Sequence, residues 1–157
     1  MISINEIYKM MDWKNSPDII SKGINLAKEI DDLSLLIMPS ASVSVWEYCA
    51  DILYEKEDLL LEPYLPSLLE WLEDLNWPGA MVIAKRLMVF SGKKLKQPFI
   101  DRYNYAVNLN NTDGLLILDK LSILFENGEL KEELPKEIIE VLQKHYHNPG
   151  WWDVESF

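Results

Sequence analysis

The stretch Leu68–Ala80, LLEWLEDLNWPGA, sets the tightest limit on what this chain can fold into. Leu68, Leu69, Leu72 and Leu75 recur at helical spacing, with Glu70, Glu73 and Asp74 between them. A proline is tolerated in the first turn of a helix but not in its interior. Asn is a favoured N-cap. The pattern therefore predicts that Leu75 closes one helix, Asn76 caps the next and Trp77 opens it. A connection of a residue or two would force consecutive helices to lie side by side. Trp77, Met81, Ala84, Leu87 and Met88 continue the second helix, and Val82, Ile83 and Val89 widen its apolar stripe.

The same period runs through the rest of the chain, and apolar–polar alternation is hard to find. Ser16 reads as an N-cap with Pro17 at the first helical position, followed by Ile20, Ile24, Ala27 and Ile30. Trp46, Cys49, Ala50 and Leu53 share one helical face. Gly92 reads as a stop. Further helices are expected over PFIDRYNYAVNL (98–109), from Thr112 or Asp113 to Gly128, and from Pro135 to just before Pro149. The segment 149–157 reads as a short aromatic tail. Trp13, Trp46 and Trp77 stand 33 and 31 residues apart, each near the start of an apolar helix. That interval is the period of helix-pair repeats. The expected fold is all-α: one domain, 1–157, of stacked antiparallel helix pairs forming a right-handed α-α superhelix.

Bulk properties narrow the function classes. The 157 residues are 48% hydrophobic and 26% charged, an ordinary globular balance. A chain of this length buries roughly 70% of its extended surface. The single cysteine, Cys49, rules out an internal disulfide and fits a reducing compartment. The N-terminal MISINEIYKMMDW lacks the basic and apolar regions of a signal peptide, and no apolar run approaches the roughly 20 residues that span a bilayer. A cytoplasmic location without a membrane partner is expected. The net charge of −11 disfavours phosphate backbones and favours a basic partner.

Glu62–Leu87, EPYLPSLLEWLEDLNWPGAMVIAKRL, resembles the core of a bacterial family known as domain of unknown function 5071. Its members carry Leu-Leu-x-Trp-Leu-x-Asp-x-Asn-Trp-Pro, here Leu68, Leu69, Trp71, Leu72, Asp74, Asn76, Trp77 and Pro78. The resemblance implies a compact helical fold of stacked pairs similar to HEAT repeats. It implies no reaction and no ligand. By analogy, the family is similar in style to small helical proteins found near bacterial toxin systems.

Candidate sites divide into chemistry and charge. His145 and His147 lie close to Asp153 and Glu155, but an His-x-His pair on a helix diverges and no ligand spacing is complete, so no metal or cofactor is expected. Histidine in a last helical turn suits the dipole. Cys49, on the apolar face, is expected to be a buried and inert thiol. Trp71 and Trp77 are expected to fill the core. There is no phosphate loop and no nucleophile elbow.

Charge is unevenly placed. Glu47–Asp74 holds nine acids (Glu47, Asp51, Glu55, Glu57, Asp58, Glu62, Glu70, Glu73, Asp74) against Lys56. Lys85–Arg102 holds six bases (Lys85, Arg86, Lys93, Lys94, Lys96, Arg102) against Asp101. Glu47, Asp51 and Glu55 are spaced to form an exposed stripe opposite Trp46, Cys49 and Leu53, a candidate docking face for a basic protein. The expectation is a non-catalytic interaction protein, of which a toxin-neutralising immunity protein is one form. The alternative is a nucleic-acid-binding protein or enzyme using a concave face and the Lys85–Arg102 cluster.

Overall fold

The computed structural model describes residues 2–150, and these are helical with no strand among them. Helix α1 (Ile4–Met10) is capped by the Ser3 hydroxyl, which accepts from the Glu6 N–H. Helix α2 (Pro17–Lys28) opens on Ser16 and Pro17 as expected. Two short 3₁₀ turns, Leu33–Leu36 and Val43–Val45, lead into α3 (Trp46–Tyr54). Next come α4 (Asp58–Leu61), α5 (Leu65–Trp71) and α6 (Ala80–Met88). Helix α7 (Gly92–Leu109) is the longest, followed by α8 (Thr112–Leu121), α9 (Gly128–Glu133) and α10 (Lys136–His147).

One apolar cluster runs from Ile7 to Leu142 through every helix. Helix α1 packs on α2, α3 on α2 and α6, and α7 on α5, α8 and α9, while α10 closes over α8. No described helix is long and apolar enough to cross a membrane.

The Trp-Pro junction differs from its expected form. Helix α5 stops at Trp71, and α6 does not begin until Ala80. Asn76 caps nothing: its own N–H donates to the Asp74 carboxylate, 2.8 Å away, inside a turn. The N-cap of α6 is Gly79, with φ +82°. A β-carbon there would lie 2.7 Å from Ala50 Cβ, 2.8 Å from the Trp71 ring and 2.9 Å from the Trp46 carbonyl oxygen. Glycine is therefore needed twice, for a left-handed backbone and for contact with α3. Ala50, Ala80 and Ala84 are fully buried, so small residues let the crowded α3–α6 pair close.

Aromatic packing fixes the same junction. The Trp46 ring meets Trp71 and Trp77 edge-on, with centroids 6.0 and 5.9 Å apart. Such pairs add about 0.5–1.5 kcal/mol beyond area burial. Trp71 is fully buried and its indole N–H reaches the Pro78 carbonyl at 3.0 Å. Trp77 is only half-buried. Trp13 is 64% exposed with Lys14 beside its ring, so the third tryptophan of the interval has no share in this packing.

Two glycines expected to end helices begin them instead. Ser91 caps α7, its hydroxyl accepting from the Lys94 N–H, and Gly92 is the first helical residue. Gly92 is buried because the backbone at Glu129 and Leu130 crosses where a side chain would stand. Helix α7 then runs through Pro98, at the cost of one main-chain hydrogen bond. Likewise, α8 gives way to a 3₁₀ stretch, Ser122–Glu126, and Asn127 caps α9 with Gly128 as its first residue.

Candidate functional site

Helix α3 buries Cys49, Ala50, Ile52 and Leu53, which leaves Glu47, Asp51 and Glu55 on its exposed side. The three are not equivalent. The Glu47 carboxylate accepts from the Gly79 N–H at the start of α6, so it supplies the cap that Gly79 cannot. Glu55 lies 3.8 Å from Lys28 at the end of α2, an exposed pair of little energetic weight. Asp51, between them, has no cation among the described residues. Partial desolvation, then the charges of Glu47 and Glu55, push its carboxyl above the ordinary carboxylate range.

The acidic and basic segments meet at three ion pairs. Arg86 is buried at 8% exposure and reaches the Asp58 carboxylate at 2.6 Å and the Lys56 carbonyl at 2.9 Å. The other Asp58 oxygen accepts from the Ser91 N–H at 2.9 Å. Lys94 sits 3.6 Å from Glu62, and Arg102 sits 3.0 Å from Glu73 and stacks over Tyr105. Three of the six bases between Lys85 and Arg102 are thus paired within the fold. Lys85 and Lys93 remain exposed, and Lys96 is half-buried.

The groups suited to chemistry are closed off. Cys49 is fully buried, and desolvation pushes its thiol up to about 12. That leaves almost no thiolate near neutrality. His145 lies in the last turn of α10, as its position in the sequence suggests, and is buried at 2% exposure with Nδ1 2.5 Å from the Asp119 carboxylate. The second Asp119 oxygen accepts from the Gly150 N–H at 3.0 Å, and the Ser122 hydroxyl donates to the Asp119 carbonyl at 2.7 Å. This arrangement ties α8 to the end of α10. His147 is exposed beside Tyr146. Asp153, Glu155 and the aromatic tail lie outside the described residues. Among the described residues no three His, Cys, Asp or Glu side chains converge as metal ligands.

Two polar residues with structural work escaped the sequence reading. Arg86 was counted as part of a basic surface, but its fork is spent on Asp58 and a carbonyl. Asn127 is 3% exposed and fully satisfied: Nδ2 donates to the Leu87 and Phe90 carbonyls, both at 2.9 Å, and Oδ1 accepts from the Leu130 N–H at 3.0 Å. The available signal was Asn127 directly before an acid-containing turn, Gly128-Glu129.

Fold and site together describe a small helical protein with an acidic face on α3. Residues 47–101 match the family described as domain of unknown function (DUF5071), and the chain resembles that family. The matched segment holds the α3 stripe and the Asp58–Arg86 and Glu62–Lys94 pairs, and ends one residue before Arg102. No curated protein and no solved structure matches the chain.

Proposed function

We propose that this chain is a non-catalytic protein-binding module that meets a basic partner along the α3 face. The observation that carries the reading is Asp51. It stands between two like charges, Glu47 and Glu55, that raise its carboxyl, and unlike Glu55, which faces Lys28, and Glu47, which takes the Gly79 N–H, it has no cation among the described residues. A partner's Lys or Arg would relieve that repulsion on docking and steer the approach. The Lys85–Arg102 segment is a weaker basis for a nucleic-acid surface, since three of its bases already have carboxylates. A toxin-neutralising immunity protein of the cytosol is one concrete form of the proposal.

The same proposal takes the chain as one unit of stacked helix pairs, HEAT-like and right-handed. Support comes from the sequence separation of its polar cross-links: 28 residues for Arg86 to Asp58, 29 for Arg102 to Glu73 and 32 for Gly79 to Glu47. These values sit close to the Trp13–Trp46–Trp77 interval.

The test is association kinetics with a protein captured from the native host. Asp51→Lys with Glu55→Lys leaves the Glu47 cap intact and should slow association at low salt, with the difference shrinking as salt rises. Equal rates at low salt would refute the docking face.

A further inference from the structure

We propose that the cleft between the end of α2 and helix α4 receives the apolar side of a basic amphipathic helix from a partner protein. This rests on the reading above and gives the acidic α3 face an apolar anchor point. The cleft has a volume of about 370 Å³ and is lined by Lys28, Ile30, Leu33, Leu59, Leu60 and Tyr64 among others. That size is within the range of built binding pockets.

Helix α4 is a single turn carrying three consecutive leucines. Leu61 is fully buried and serves the core. Leu59 and Leu60 do not: they are 75% and 51% exposed. Two adjacent exposed leucines beside a cleft form a patch rather than scattered surface residues. The turn that presents them is held firmly. Asp58, immediately before Leu59, takes the Arg86 guanidinium on one oxygen and the Ser91 N–H on the other. The leucines are therefore shown on a fixed platform, which lowers the ordering cost of binding.

Charge selects the occupant. Two lysines, Lys28 and Lys56, and two acids, Glu29 and Asp31, line the cleft, so the lining itself is balanced. Lys56 Nζ donates to the Lys28 carbonyl at 3.0 Å, and Lys28 Nζ faces Glu55. Glu29, Asp31 and Glu57 have no ion pair among the described residues. Glu55, beside Lys28, and Glu57, next to Lys56 in the chain, lie just outside that lining and make the rim around it net acidic. Glu55, the last carboxylate of the α3 stripe, is joined to it through Lys28. A second copy of this chain, at −11, would be repelled, as would an acidic segment. A helix with leucines on one side and lysines or arginines on the other matches both the apolar floor and the acidic rim.

The experiment uses the full-length protein, isotope-labelled for amide NMR, and three synthetic peptides about four helical turns long. One carries Leu and Lys at helical spacing, one has Ser for every Leu, and one has Glu for every Lys. The Leu/Lys peptide should shift amides at Ile30, Leu59, Leu60 and Tyr64. Leu59→Ser with Leu60→Ser should weaken its binding about tenfold or more. Both positions are exposed, so the melting temperature should stay near wild type. The Glu-substituted peptide should not bind. Binding that ignores the leucine substitutions, shifts centred elsewhere, equal binding of the Glu peptide or no binding at all would overturn the proposal.

The Leu-free Lys peptide separates the two readings. If it perturbs α3 at low salt while the leucines contribute nothing, the acidic face stands and the cleft falls. If it leaves α3 untouched while the Leu/Lys peptide still fills the cleft, the α3 steering falls and the cleft stands.

Discussion

Removing the Asn127 side chain should destabilise this protein more than any ordinary cap substitution. Asn127→Ala deletes three hydrogen bonds in a site that water does not reach: two from Nδ2 to the Leu87 and Phe90 carbonyls and one to Oδ1 from the Leu130 N–H. The Leu87 carbonyl keeps a bond from the Phe90 N–H at 3.3 Å. The Leu130 N–H loses the side-chain acceptor that held it. At about 1 kcal/mol for each bond the loss is about 3 kcal/mol, against about 1 kcal/mol for a typical exposed N-cap. For a chain of this size that corresponds to a drop of roughly 6–12 °C in melting temperature. Asn127→Asp is the decisive control. The carboxylate can still cap α9, and an anion there suits the helix dipole, but it has no proton to offer the two carbonyls of the α6 end. Urea melts should therefore place Asn127→Asp at or below Asn127→Ala at pH 7. The gap to wild type should narrow toward pH 4, where a protonated acid can donate one bond. An Asp variant as stable as wild type at neutral pH would show that the cap alone matters and would refute the α6–α9 staple.

Three further outcomes are expected. Gly79→Ala should cost several kcal/mol, because it combines a left-handed backbone with overpacking against Ala50 and Trp71, each of which costs about 1–3 kcal/mol; a thermal melt within a degree or two of wild type would count against the crowded junction. Cys49 should resist iodoacetamide in the native state at pH 8 and react on unfolding. Because its folded value is raised to about 12, its stabilising contribution is complete below the unfolded thiol range and is lost as pH rises toward 12, so between pH 9 and 11 stability should fall by up to about 1.4 kcal/mol per unit more steeply than in Cys49→Ala. Asp51→Asn should stabilise slightly at pH 7. A raised carboxylate favours the fold only below its ordinary range, so the gain should vanish as the solution is acidified, and a loss at pH 7 would mean that Asp51 has a favourable partner.

Helix content was legible because it rests on local periodicity. Ser16–Pro17, Thr112 and Pro135 mark real starts, and Trp71, Cys49 and Ala84 are buried as their spacing predicts. Two failures share a cause. Ser91-Gly92 and Asn127-Gly128 were read through the glycine, as stops, when the residue before it was the N-cap of a new helix. Sequence could not show why position 92 must be glycine, because Gly92 answers to the backbone of Glu129 and Leu130, which lies 37 residues further on. The α3 stripe was placed correctly as an exposed face. The bond from Gly79 to Glu47 was hidden, being set by packing between helices 32 residues apart.

The charge pattern shows most directly how the chain is organised. As a sequence it reads as an acidic block followed by a basic one, which suggests two opposed surfaces. In the fold the blocks meet at three ion pairs, Arg86–Asp58, Lys94–Glu62 and Arg102–Glu73. Asp58 meets Arg86 and Glu73 meets Arg102 at nearly the same separation. Lys56 reaches back 28 residues to Lys28, and the Tyr8 hydroxyl reaches forward 27 to Leu35. Neutralisation then follows from topology and not from composition, and what matters for recognition is the remainder. Among the described acids left without an ion pair are Asp51 on α3, and Glu29, Asp31 and Glu57 around the α2–α4 cleft. A net charge of −11 spread evenly would serve only solubility. On the reading proposed above, the acids beside Leu59 and Leu60 would join a long-range attraction for cations to a short-range site for apolar side chains.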